Sequence, residues 1–305
     1  MSKWLDLYKQ LLTIIPESSI QLEESLCQHT YTRMGGPADL FVTPATYEEA
    51  AEVVRFARQH DIPITILGFG SNVIVRDGGI RGIVLSFEQL TDIRVSDSLV
   101  VAQSGAAIID TSKFALKHSL SGLEFACGIP GSVGGALYMN AGAYGGEISD
   151  VLQDTLVLTS EGELLRLSKE DLELGYRTSV IGRKQYIVLE ATFKLVHADV
   201  EPIQRKMEEL TYLRESKQPL EYPSCGSVFK RPPGYFAGQL IQESGLQGTR
   251  VGGAEVSTKH AGFIVNVDQA TATEYIALIH HVQQTVKDRF NVELETEVRI
   301  IGEDK

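Results

Sequence analysis

The sequence predicts a multidomain α+β protein, and three observations carry that reading. The chain opens on a β-α-β alternation, runs from Gly82 to Val196 as a succession of strands with few helices, and returns beyond residue 200 to mixed structure. Its 305 residues are 43% hydrophobic and 22% charged, the composition of a globular protein of two to three domains rather than a disordered or fibrous one. Seven of the 28 glycines lie between Gly128 and Gly146, too dense a group for a helix or strand interior and suited to close approach of the main chain.

Taken in order, the first element is a helix over 46–60. Thr46 and Glu49 form a capping box, and Ala50, Val53, Val54 and Ala57 recur on one face. An apolar strand at 63–67 leads into the glycine loop Gly68-Phe-Gly-Ser-Asn72 and a short strand, Val73-Ile-Val75. Strands follow at 83–85 and 99–101, a hairpin at 155–158 and 164–167 around Ser160-Glu-Gly-Glu163, and a strand at 187–196. In the last third, Ile203, Met207 and Leu210 mark a helix over 202–214, a second runs from Phe236 to Ser244 and stops at Gly245, and Tyr275, Ile279, Val282, Val286 and Phe290 mark a third. Alternation from Val292 to Ile301 reads as a closing strand.

Charge narrows the function classes. The net charge is -12, from 28 Lys+Arg against 40 Asp+Glu, so the overall field repels nucleic acid and anionic membranes, and an anionic ligand needs a local basic pocket. Cys27, Cys127 and Cys225 are far apart, with no paired spacing for a disulfide framework or a thiolate metal site. Polar residues Lys3, Asp6, Lys9 and Gln10 interrupt any leader-like core from Met1 to Ile15. These features predict an unprocessed, cytoplasmic protein with no metal and no membrane span.

The first glycine loop invites a dinucleotide reading, but Val73 stands where that fingerprint needs glycine, and no amphipathic helix follows. The loop is then either an anion-binding nest of N–H groups or a tight strand-to-strand turn. The second segment, Gly128 to Gly146, is more specific: its glycines follow no helical or strand period, and removing side chains lets a large ligand lie against main chain.

Thr32-Arg-Met-Gly-Gly-Pro-Ala-Asp39, Leu67-Gly-Phe-Gly-Ser-Asn72, Gly128-Ile-Pro-Gly-Ser-Val-Gly134, Asn140-Ala-Gly-Ala-Tyr-Gly145, Gly175-Tyr-Arg177, Pro223-Ser-Cys-Gly-Ser-Val-Phe-Lys230 and Leu294-Glu-Thr-Glu-Val-Arg299 occur in this order. Together they resemble the UDP-N-acetylenolpyruvoylglucosamine reductase family over roughly residues 30–302. The resemblance is to its shorter class, because 196 runs almost directly into the 202–214 helix without the inserted segment that carries a tyrosine. It implies a two-lobed FAD-binding fold of the vanillyl-alcohol-oxidase type with a separate α/β substrate-binding domain. The implied division is a first lobe at 1–85, with the residues from about 298 to 305 returning to it, a second lobe at 86–213, and a substrate domain at 214–297.

The same resemblance implies NADPH-dependent reduction of UDP-N-acetylglucosamine enolpyruvate in cytoplasmic peptidoglycan synthesis, by a protein acting as a monomer. It places Leu67, Gly68, Gly70, Ser71, Asn72, Val73, Gly131, Ser132, Gly135 and Gly142 at FAD. Arg177 and Glu297 are placed beside the enolpyruvyl carboxylate and Ser227 as proton donor, with Tyr144 near the substrate. The chemistry suits these types: a guanidinium is permanently charged and binds a carboxylate through two bonds, while a well-placed hydroxyl can protonate a strongly basic carbanion. Glu297 either orients a substrate group or, held protonated by burial, polarises the carboxylate. Arg214, Lys217, Lys230 and Arg231 form a basic cluster suited to a diphosphate or the flavin, or else a solvated face.

Each catalytic candidate has a plainer alternative: Arg177 capping a loop, Ser227 satisfying turn amides, Glu297 alternating outward on a strand. Adjacent His280 and His281 are not a metal pair, Ser132 lacks a nucleophile elbow, and His260 reads as a residue leading into a strand. Two other classes remain beside the reductase: an FAD-dependent sugar or alcohol oxidase of the same fold, and a nucleotide-sugar binding protein.

Overall fold

The apolar spacing of 50–57 builds the helix Tyr47–Gln59, with all four expected side chains buried. Thr46 caps it by accepting from the Glu49 amide at 3.1 Å. The return arm of the capping box reaches one residue further back, where the Glu49 carboxylate accepts from Ala45 N at 2.7 Å. The computed structural model describes residues 3–305; Met1 and Ser2, at the head of the stretch read for a leader, lie outside the described residues. Two compact units are present, one holding the chain up to Leu22, Leu40–Phe69 and Gly82–Arg214, the other Glu23–Asp39, Gly70–Arg81 and Glu215–Lys305.

Strands Ile20–Ser25, Pro37–Val42, Ile80–Ser86 and Ile64–Leu67 lie in that order in one sheet, the last two parallel. The apolar face of helix Tyr47–Gln59 packs with Leu40, Val42, Ile83 and Leu85 of this sheet and with Leu7 and Leu11 of the helix Lys3–Leu11. A five-stranded antiparallel sheet follows, ordered Leu164–Ser168, Leu152–Leu158, Ile187–Lys194, Leu99–Gln103, Ile93–Ser96. The expected hairpin is formed, pairing Thr155 with Leu167 and Leu158 with Leu164. The helix Val200–Lys217 buries Ile203, Met207 and Leu210 against Cys127.

This region holds more helix than the strand-rich pattern predicts. Ile108–Lys117 is helical and buries Ile108, Thr111, Ser112 and Ala115. Two of those four are hydroxyl residues, which hide the apolar face in sequence. Their hydroxyls donate to Ala107 O (3.0 Å) and Leu123 O (2.7 Å), so the burial is compatible with satisfied polar groups. A shorter helix, Val133–Tyr138, lies within the glycine segment itself.

The second unit carries an antiparallel sheet ordered Ser224–Ser227, Phe263–Asn266, Ala254–Val256, Arg250–Val251. Its long helix, Ala272–Phe290, starts on a complete Thr271–Glu274 capping box and ends at Asn291 in the left-handed conformation. Helix Ala237–Glu243 precedes Gly245 as expected. Leu240, Ile264, Tyr275, Ile279 and Val282 form the core with Met34 and Ile74. Thus 23–39 and 70–81, expected in the first lobe, group with 215–305, while 40–69 and 86–213 share one unit.

The closing strand is shorter than its alternation predicts. Only Arg299–Ile301 is strand, paired in parallel with Val73–Val75. Upstream, Val228 O accepts from both Glu297 N (2.8 Å) and Val298 N (3.4 Å), a shared acceptor that breaks a regular ladder. Among the described residues, no helix is long and apolar enough to cross a membrane.

Candidate functional site

The two glycine segments meet in the first unit at Gly68, where an added Cβ would lie 2.7 Å from Ser132 Oγ. That hydroxyl accepts from Gly135 N at 3.2 Å and caps the helix Val133–Tyr138, so Ser132 is held as a cap and is not poised as a nucleophile. An added Cβ at Gly135 would meet only Ser132 Oγ, at 3.4 Å. Gly135 leaves a patch of bare main chain beside Ser132 that suits close approach of a large planar or diphosphate group of the FAD kind, whereas Gly68 is kept bare by Ser132 itself.

Not every glycine serves that patch. Cβ atoms added to Gly134, Gly142 and Gly146 would strike Ser104 Oγ at 2.1 Å, Gly146 O at 2.7 Å and Phe125 at 2.8 Å, and one on Gly128 would lie 2.8 Å from Arg214 Cδ. Packing within the protein therefore explains four glycines that the sequence pattern assigns to ligand approach. Amides are also committed internally, Val133 N to Ala106 O and Gly134 N to Ser104 O. Leu67 is buried at the end of its strand.

Arg177 sits in a four-residue turn in which Gly175 and Thr178 exchange backbone bonds of 3.1 and 3.2 Å. Its φ is +55°, uncommon for a side chain of this size, and its guanidinium lies 5.7 Å from the exposed Tyr176 ring. The turn is tied to the glycine segment, because Asn140 Nδ2 donates to Gly175 O at 3.2 Å. Asn140 leads into the hairpin Gly142-Ala143 and Gly146-Glu147, whose tip is Tyr144-Gly145 with φ of 53° and 88°. Two positive φ angles are what a two-residue type I′ hairpin requires, and Tyr144 is presented at the tip, 44% exposed.

Ser227 and Glu297 come together in the second unit. Between Ser224 and Ser227 the strand slips by one residue against Phe263–Asn266, with Gly226 at φ +76° and open space where its Cβ would be. A glycine bulge of this kind re-aims the following side chain, and Ser227 is exposed while Cys225 is buried. Glu297 is half-buried, its amide bonded to Val228 O and its carbonyl accepting from Asn72 Nδ2 at 3.3 Å. Arg299 N donates to Asn72 O at 3.1 Å. Asn72, at the end of the first glycine loop, is thereby fixed beside Glu297, and Val73 begins the strand paired with Arg299. Gly70 is determined by the protein: an added Cβ would lie 2.6 Å from His29 O and 2.7 Å from Thr30 Cα.

The basic residues do not act as one free cluster. Arg214 lies along Gly128 in the first unit; in the second, Lys230 pairs with Glu295, Arg231 stacks 4.1 Å from the Phe236 ring, and Lys217 is exposed. His260 precedes the strand Phe263–Asn266, its Nδ1 accepting from Gly262 N at 3.1 Å, and burial lowers its pKa. No group of three or more His, Cys, Asp or Glu able to hold a metal occurs among the described residues. Asn140 has no role in the motif that contains it; its signal in the sequence is an Asn two residues before a glycine hairpin, a residue type that tolerates positive φ.

Two family models match the chain, one described as FAD binding domain over 38–168 and one as UDP-N-acetylenolpyruvoylglucosamine reductase, C-terminal domain, over 218–301. The UDP-N-acetylenolpyruvoylglucosamine reductase of Shouchella clausii is 64% identical over 304 residues, spanning 100% of this chain and 98% of its own length. That of Exiguobacterium sibiricum is 64% identical over 290 residues, 95% of either chain. A crystal structure of UDP-N-acetylenolpyruvylglucosamine reductase from Thermus caldophilus is 35% identical, with a TM-score of 0.78 over 92% of this chain and 97% of that one. Phl p 4.0202, a glucose dehydrogenase, shares the fold alone, at 17% identity and a TM-score of 0.51 over 64% of this chain.

Proposed function

Since the chain belongs to the UDP-N-acetylenolpyruvoylglucosamine reductase family, FAD-dependent oxidoreductases on the α+β fold of the vanillyl-alcohol-oxidase type, we propose how its own residues divide the reduction of an enolpyruvyl ether. The substrate is UDP-N-acetylglucosamine enolpyruvate and the product UDP-N-acetylmuramate, a peptidoglycan precursor. The hydride for C3 of the enolpyruvyl group would come from FAD, once bound and reduced by NADPH. Leu67, Gly68, Gly70, Ser71, Asn72, Val73, Gly131, Ser132 and Gly135 would line that cofactor, whereas Gly142 is kept bare by Gly146 and Glu147.

Negative charge then develops at C2, next to the substrate carboxylate. Arg177 meets that carboxylate with two parallel N–H donors and keeps its charge throughout, so the developing anion is stabilised where it forms. Ser227 transfers its hydroxyl proton to C2; the acceptor is strongly basic, and placement matters more than the acidity of the donor. Glu297 orients the reacting end from beside Ser227. Tyr144 and the basic residues Arg214, Lys217, Lys230 and Arg231 take the rest of the substrate, with Lys230 exchanging Glu295 for a diphosphate oxygen. The protein acts as a monomer on this reading, and the free cysteines Cys27, Cys127 and Cys225 suit a reducing cytoplasm.

The observation that carries the assignment is the Gly226 bulge, which leaves Ser227 exposed beside open space with Glu297 hydrogen-bonded to the next residue. An anaerobic titration tests it. The purified protein should be yellow, bleach with NADPH and recolour with the enolpyruvyl substrate. Recolouring by the oxidised product of an alcohol would turn the reading to an oxidase, and a colourless protein to a binding module.

A further inference from the structure

Asn140 is the junction of two loops. It is 2% exposed, with φ +42°. Its Nδ2 donates to Gly175 O at 3.2 Å, at the start of the Arg177 turn, and its Oδ1 accepts from Ser149 N at 2.9 Å, just past the Tyr144 hairpin. Glu147, at the base of the hairpin, is held by the Ser149 hydroxyl. Hydrogen bonds from Ser149 and Asn140, and the nearby Arg177 guanidinium, keep the Glu147 carboxyl below its ordinary pKa against the opposing effect of burial. A bidentate grip on a carboxylate requires the guanidinium to be fixed closely in position, and Asn140 ties the turn that carries it to the hairpin.

We propose that Asn140 is a positioning residue that locks the Arg177 turn to the Tyr144 hairpin and so fixes the guanidinium before a substrate carboxylate arrives. This rests on the assignment of Arg177 to that carboxylate.

The test uses FAD-loaded enzyme and follows flavin reduction by NADPH and reoxidation by the enolpyruvyl substrate separately. Asn140→Asp keeps the acceptor for Ser149 N and the tolerance of positive φ but turns an acceptor toward Gly175 O; Asn140→Gly keeps the backbone conformation and removes the link, and serves if the Asp variant does not load FAD. Either should slow reoxidation by about tenfold or more, with reduction changed by less than about twofold. In an Arg177→Lys background, Asn140→Gly should add little further slowing, because both changes act through the same group. Full multiplication of the two effects, equal slowing of both half-reactions, or unchanged reoxidation in the Asn140 variants would overturn the proposal. If Arg177→Lys alone leaves reoxidation unchanged, the Arg177 assignment itself fails, and Asn140 loses its role with it.

Discussion

Ser227 and Cys225 lie two residues apart, and their surroundings give them opposite chemistry. Cys225 is 2% exposed, 3.1 Å from the Tyr275 hydroxyl, and burial pushes its thiol up to about 11. At pH 8 only about one thiol in a thousand is then thiolate, so iodoacetamide should label Cys225 only as the protein unfolds; rapid labelling of the native enzyme, read by mass spectrometry, would contradict this environment. Ser227→Ala should leave reduction by NADPH intact and slow reoxidation by about 10² or more, roughly 3 kcal/mol of transition-state stabilisation. Ser227→Cys should restore it only in part, since the larger sulfur displaces the proton. Anaerobic stopped-flow separates these outcomes from a misplaced flavin, which slows both steps. The motifs made these residues legible, but not the bulge that turns Ser227 outward, because a bulge depends on register with Phe263–Asn266. Sequence alone also recommends Gly70→Val as a probe of cofactor binding. With His29 O and Thr30 Cα where its Cβ would be, that variant damages the turn whether or not FAD binds. Gly135→Ala is the cleaner probe: its Cβ has room within the protein, so unchanged thermal stability of the apoprotein with reduced flavin occupancy is expected, and full occupancy would remove Gly135 from the cofactor site.

Among the elements, the five-stranded sheet carries a charge clamp that no pattern reveals. Glu190 lies on the central strand Ile187–Lys194 and accepts 2.8 Å bonds from Arg166 on one edge strand and Arg94 on the other, with Tyr47 OH at 3.1 Å. Burial alone would raise its carboxyl pKa; the hydrogen bonds from Arg166 and Arg94 prevail and lower it. Because the folded-state pKa lies below the unfolded one, the clamp's stabilisation is present above the ordinary carboxylate value of 4.5 and is lost as pH falls through the depressed one. Denaturation of wild type and Glu190→Gln should therefore differ most near neutrality and converge only as pH falls through the depressed pKa of Glu190; a gap independent of pH would rule the clamp out. A lone Glu in an apolar strand looks like a break in the pattern, and only the pairing order brings both arginines to it. The same limit hid the helix Ile108–Lys117, whose buried face is half hydroxyl, and lengthened the expected closing strand, whose alternation continues where Val228 O interrupts the ladder. By contrast, the helices at Tyr47–Gln59 and Ala272–Phe290 were legible because capping residues and a uniform apolar face agree.

For the whole molecule, the boundary after Arg214 does not mark off an independent piece. Residues 215–305 share their core with Met34 and Ile74, and the strand Arg299–Ile301 takes its partner from Val73–Val75. A fragment of residues 215–305 should show no cooperative thermal transition by circular dichroism, and adding 23–39 and 70–81 on a linker should restore one. A sharp transition in the bare fragment would refute this. Sequence order cannot convey such an arrangement, since the two early segments read locally as loops and short strands of whatever precedes and follows them.

The discontinuous second unit also sets a timetable for folding during synthesis. Met34 and Ile74 leave the ribosome long before Val298, the last core residue they join, and at about 5–20 residues per second the wait is at least roughly ten seconds. Throughout it, Met34 and Ile74, carried on two otherwise largely polar segments, must remain available while the intervening chain folds. Closure of such distant contacts is slow and leaves sticky surface exposed in the interim. The nascent chain is therefore most vulnerable to aggregation late in translation, when most of its residues are already made, and a chaperone that shields 23–39 and 70–81 would act at that stage.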